Sequence, residues 1–86
     1  NSEKDHRNQP KVCASLCDQV GGGDASIRAV MIESHLREGA QKIDADRSRL
    51  EYGLSVTDAC VGWETTEEMV RELATAVRKR RASYLA

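Results

Sequence analysis

The sequence has no phenylalanine, one tryptophan and two tyrosines, so aromatic residues make up only 3% of its 86 positions. Any core must be built from aliphatic side chains and thiols, and at this length it would be marginal for a monomer standing alone. Long hydrophobic runs are missing as well. The apolar stretches are short and the N-terminus is polar, which excludes a transmembrane helix and a secretory leader in the residues present. A cytoplasmic location is the expectation. No charge of either sign prevails: thirteen Lys and Arg face fourteen Asp and Glu, for a net charge of -1. No global field therefore draws the chain to nucleic acid or to an anionic membrane, and neither is expected as a partner. The three cysteines, Cys13, Cys17 and Cys60, are an odd number, and the first pair is spaced C-x3-C. This matches neither a disulfide framework nor the paired C-x2-C blocks of a zinc module, and three reduced, mostly buried thiols are expected.

What is present is organised by period and punctuation. Asn1–Gln9 is polar, without apolar periodicity, and reads as a loop leading into Pro10, a residue suited to a first helical turn. Val12, Cys13, Leu16, Cys17 and Val20 then form one stripe at helical spacing, and Gly21-Gly22-Gly23 ends the helix. The run Ile27–Ile32 is short, nearly continuous in apolar character and bounded by turn residues, as a strand buried on both faces would be. Leu36–Gly53 is polar, and long for an unstructured connection, so it should be functional or carry a short helix. Leu54–Val61 reads as a second strand, with Leu54, Val56, Asp58 and Cys60 on one face. Thr65 and Glu68 have capping-box spacing before Met69, Val70, Leu73, Ala74 and Val77, which predicts a helix. The basic run Arg78–Arg81 suits the negative end of that helix and needs no nucleic acid to explain it. The predicted order is helix, strand, long connection, strand, helix. This is a slice of an α/β fold whose strands need further strands and helices to cover them.

Residues able to carry chemistry gather at the strand ends. Glu33 closes one strand and Asp58 lies in the other, so neighbouring strands would bring two carboxylates to one edge of the sheet. Such a pair suits proton transfer or a divalent metal, whereas the structural alternative is that each caps a helix or pairs with an arginine. His35, two residues past Glu33, is a candidate third ligand, against the plainer reading of a loop histidine. Cys60 could be a soft ligand beside Asp58, against the reading of a small buried thiol. The three glycines follow a helix rather than a strand and so do not form a phosphate-binding turn.

Two segments carry a resemblance to a known family. Val30-Met31-Ile32-Glu33-Ser34-His35-Leu36, followed by Glu38-Gly39-Ala40-Gln41, and then Tyr52-Gly53-Leu54-Ser55-Val56-Thr57-Asp58-Ala59-Cys60-Val61-Gly62-Trp63-Glu64, resemble the class I 3-deoxy-7-phosphoheptulonate synthases. Asn1-Ser2-x-Lys4, Arg7-Asn8-Gln9-Pro10-Lys11-Val12 and Cys17-x-Gln19 extend the resemblance, most closely to fungal members, over all but the last residues. Ala40 departs from the family, which usually has Asn there.

The resemblance implies a (β/α)8 barrel, of which residues 1–86 would be the C-terminal segment. It implies condensation of phosphoenolpyruvate with erythrose 4-phosphate at the opening of the shikimate pathway to aromatic amino acids. One divalent metal of the Mn, Fe, Co or Zn type would be held by a Cys, a His, a Glu and an Asp. By motif position the Glu is Glu33 and the Asp is Asp58. The family's His would precede Asn1 and its Cys would lie far upstream, so His35 and Cys60 are not implied as ligands. The substrate-holding Lys and Arg would also belong to earlier strands. The metal would act as a Lewis acid, Asp58 could relay a proton through metal-bound water, and the complete enzyme would be a homo-oligomer. The 86-residue chain alone is expected to be inactive. Two rival readings stand beside this one: a stand-alone α/β interaction module using its uncovered sheet, and a metal sensor built on Glu33, His35 and Asp58.

Overall fold

Two helices organise the chain, and their spacing in sequence matches the apolar periodicity. The computed structural model describes residues 5–43 and 45–85; Asn1–Lys4, the start of the expected N-terminal loop, lies outside them. A 3-10 turn, His6–Asn8, leads into α1, Gln9–Gly21. The Asp5 carboxylate accepts the Arg7 backbone N–H at 3.0 Å and both arms of its guanidinium, which closes the turn before the helix. Pro10 occupies the first helical turn, where a missing N–H costs nothing. At the other end the amides of Gly22, Gly23 and Asp24 bond back to Asp18, Val20 and Gln19, with Gly23 at φ +102° turning the chain away.

The second helix, α2, spans Trp63–Leu85 and begins earlier than the capping-box reading predicts. Thr65 is already inside the first turn, so it cannot act as the cap. Thr66 instead bonds Gly62 O through both its amide and its hydroxyl. The helix also outruns the basic stretch, leaving no basic residue in its last turn, so Arg78–Arg81 does not cap the dipole as expected. Arg80 points back across the structure and donates to the carbonyls of Asp24 and Ile27. Tyr84 adds a bond to Gly23 O, so the end of α2 holds the loop that follows α1.

The helices pack along α1 positions 13, 17 and 20 and α2 positions 69, 73 and 76. Cys13, Met69 and Val61 form the buried centre, with Cys17, Ile32 and Leu73 against it. Val70, predicted on the apolar stripe, is 52% exposed, whereas Ala76 is buried. Near Ala76 the two helices approach at Gly21, where a Cβ would lie 4.0 Å from the Ala76 Cα.

The two predicted strands do not form as ladders. Among the described residues the only β pairing is three isolated bridges, Ser34 with Val61, Gly39 with Cys60 and Ala40 with Ser55. The Ile27–Ile32 run carries no bridge, and Met31 is 85% exposed. A strand buried on both faces needs neighbouring strands to take its N–H and C=O groups, and among the described residues these two segments have none along their length. The long connection is nevertheless ordered. Gln41 donates to the carbonyls of Glu51 and Leu54 and accepts the Glu51 amide, and a 3-10 turn forms at Arg47–Arg49. The radius of gyration is 16.0 Å, against about 12 Å for a compact domain of this length.

Gly53 supports this connection at φ +81°, and a Cβ there would lie 2.9 Å from the Leu36 Cβ. Gly53→Ala should destabilise the protein by at least about 1–2 kcal/mol, from the left-handed backbone alone. Urea denaturation of the full-length protein measures this; an unchanged midpoint would show that the turn relaxes without cost.

Candidate metal site

Glu33 is held by its main chain. The Gln9 carboxamide donates to Glu33 O at 3.0 Å and accepts Glu33 N–H at 2.9 Å, so a helical side chain takes the place of a neighbouring strand. From the other side Val61 N–H donates to the same carbonyl at 2.9 Å, and His35 N–H reaches Val61 O. Gln9 itself is 8% exposed, and both ends of its amide are satisfied.

Asp58 lies in the bend that precedes this junction. Ser55 fixes one side of the bend, pairing with Gln41 N–H through its carbonyl and accepting Thr57 N–H at its hydroxyl. Cys60 fixes the other, exchanging backbone bonds with Gly39 while its thiol lies 3.4 Å from Asp58 O. Glu33 and Asp58 thus belong to the two segments joined at the bridge between Ser34 and Val61. Glu33 is half-buried and Asp58 exposed.

Among the described residues neither carboxylate accepts a hydrogen bond or joins an ion pair. This runs against the structural alternative of a helix cap or an arginine partner. Two uncommitted carboxylates on joined segments are a fitting donor set for a hard or borderline divalent cation. His35 is exposed and its Nδ1 accepts the Leu36 amide, which leaves only Nε2 available. Cys60 is half-buried, and Glu33, His35, Asp58 and Cys60 all lie outside the one cluster of three metal-binding groups among the described residues.

A second cluster was not legible in the sequence. Cys13 and Cys17 lie one turn apart on α1, and Glu72 comes alongside from α2, with one donor atom of each within 4.8 Å of the others. Burial pushes the Cys13 thiol up to about 12, with the neighbouring Cys17 and Glu72 adding to the shift. The C-x3-C spacing hinted at half of this cluster; the carboxylate arrives only when the helices pack.

The DAHP synthetase I family model matches residues 1–71. The phenylalanine-sensitive phospho-2-dehydro-3-deoxyheptonate aldolase of Escherichia coli K12 is 49% identical over 81 residues, covering 94% of this chain and 23% of that protein. The phenylalanine-inhibited enzyme of the same name from Saccharomyces cerevisiae is 52% identical over 83 residues, covering 94% and 22%. A solved phospho-2-dehydro-3-deoxyheptonate aldolase from Francisella tularensis SCHU S4 superposes with a TM-score of 0.84 at 46% identity, over 93% of this chain and 23% of that one. The chain therefore spans about a quarter of the length of the relatives it matches.

The shifted thiol has two measurable consequences in metal-free protein. Cys13 should resist alkylation between pH 7 and 9 while the unfolded chain reacts, as mass spectrometry of modified peptides would read; equal rates would refute its burial. An unfolded Cys13 ionises near its ordinary 9.0 and the folded one near 12, so the folded state binds the proton more tightly. Its contribution to stability is full below pH 9 and falls as pH rises towards 12.

Proposed function

The chain belongs to the DAHP synthetase I family, and on that premise we propose that it is the C-terminal segment of a (β/α)8 barrel. The complete protein would be a 3-deoxy-7-phosphoheptulonate synthase joining phosphoenolpyruvate to erythrose 4-phosphate. That is the first committed condensation toward aromatic amino acids. The uncovered apolar surface supports the segment reading. Met31, Val30 and an apolar cavity of about 200 Å3 between α1, α2 and residues 30–33 await strands and helices that a longer chain would supply. The same surface and the extended shape speak against a stand-alone module.

The observation that carries the site assignment is that the Glu33 and Asp58 carboxylates, on two joined segments, have no partner among the described residues. In this proposal both hold one divalent cation of the Mn, Fe, Co or Zn type, with a His and a Cys from outside the chain. When bound, the cation would supply Lewis-acid chemistry at the reacting carbonyl. The chain's own residues bind and orient. Glu33 and Asp58 supply oxygen donors, and Gln9 holds the backbone from which Glu33 projects. A bound carboxylate is committed as an acceptor, so any proton that Asp58 moves would pass through a water beside it. No substrate contact is assigned within these residues.

Glu33→Ala and Asp58→Asn in the full-length protein should each weaken Mn2+ affinity by about 100-fold or more, with parallel loss of activity. Unchanged affinity in both variants would overturn the assignment. Gln9→Met, which keeps the volume and removes both bonds to Glu33, should weaken Mn2+ binding by about tenfold. If Gln9 served the fold alone, this variant would lower the melting temperature and leave Mn2+ affinity as it is.

A further inference from the structure

The proposed site at Glu33 and Asp58 makes no use of the cluster between the helices. Cys13 is 4% exposed, Cys17 half-buried and Glu72 exposed, so the three donors run from the helix interface out to the surface. Cys17 and Glu72 line a surface cleft together with Gly21, Gly22, Ala76 and Lys79, which leaves an open approach on one side.

The spacing suits a tetrahedral ion. With Zn–S bonds of about 2.3 Å, two thiolates on one tetrahedral ion lie about 3.8 Å apart. The sulfurs of Cys13 and Cys17 are 4.0 Å apart, and the Glu72 carboxylate is within 4.8 Å of both. Two thiols packed for burial alone would not need a carboxylate from the facing helix. Glu72 has neither an ion pair nor a hydrogen bond among the described residues, although Lys79 lines the same cleft.

We propose that Cys13, Cys17 and Glu72 form a site for a soft divalent cation of the zinc and cadmium class that pins α1 to α2, with a water from the cleft as the fourth ligand. Loading releases the two thiol protons to solvent and changes no oxidation state. The Cys13 thiol gives up its weak contact with Met69 O, a carbonyl at 3.8 Å that lies within α2. Thiolate donors set the selectivity. This site takes Zn2+ or Cd2+ and rejects Mg2+ and Mn2+, which oxygen donors prefer. The role is structural, because the cluster lies at the helix interface. All three donors belong to this chain, so the site does not depend on the barrel reading or on the assignment of Glu33 and Asp58.

Cadmium is the probe, read by its thiolate charge-transfer absorbance in a titration of the full-length, metal-stripped protein. The expected result is one Cd2+ equivalent that Mn2+ does not displace and that raises the unfolding temperature. Cys17→Ser should remove that equivalent. Glu72→Gln, a change at an exposed side chain, should weaken it by about tenfold or more and keeps the test valid if Cys17→Ser fails to fold. Wild-type Cd2+ stoichiometry and affinity in Glu72→Gln would overturn the site, as would a titration in which Mn2+ displaces all of the bound Cd2+.

Discussion

The packing of α1 on α2 through Cys13, Val61 and Met69 is the constraint from which the rest of the structure follows. It is a small core, built on sulfur and short aliphatic side chains because the chain has no phenylalanine to fill it. Val61 belongs both to this core and to the bridge that fixes Glu33, so packing between the helices determines where the carboxylate-bearing segment lies. At the far end, Arg80 and Tyr84 of α2 hold the turn after α1 through main-chain carbonyls. The loops are thus attached to the helix pair at both ends.

Amide side chains do much of the work that a sheet would otherwise do. Gln9 pairs with the N–H and C=O of Glu33, and Gln41 with those of Glu51, each time presenting a donor and an acceptor to the backbone as an adjacent strand would. A buried peptide group costs free energy unless paired, and a carboxamide satisfies both halves of one residue at once. At Glu33 the same device fixes the backbone from which the proposed ligand projects. The two proposed metal sites then differ in kind. This chain would supply two carboxylates at the loop edge to the one, and two thiols with one carboxylate at the helix interface to the other.

The helices were readable because their evidence is local: backbone bonds span four residues, and the apolar stripe repeats within a few turns. Even so, α2 begins at Trp63 rather than after Thr65, since the bonds from Thr66 to Gly62 O extend the first turn backwards. The strands were readable as composition but did not form as ladders, because Ile27–Ile32 and Leu54–Val61 have too few neighbours among the described residues to complete their hydrogen bonding. The position of Glu33 at the end of one apolar segment and of Asp58 within another was visible in the sequence, as was the resemblance that implied a metal for both.

The sequence by itself determined the two helices, the balanced charge, a core without phenylalanine and a pair of carboxylates that would converge if their segments were neighbours. Only the tertiary structure decided that Gln9 grips Glu33 across 24 positions, that Arg80 turns back to Asp24 and Ile27, and that Glu72 joins Cys13 and Cys17. The physical reason is range. Periodicity and capping act within a turn or two of chain, whereas a polar side chain finds its partner only after the helices have packed and burial has made an unpaired group costly.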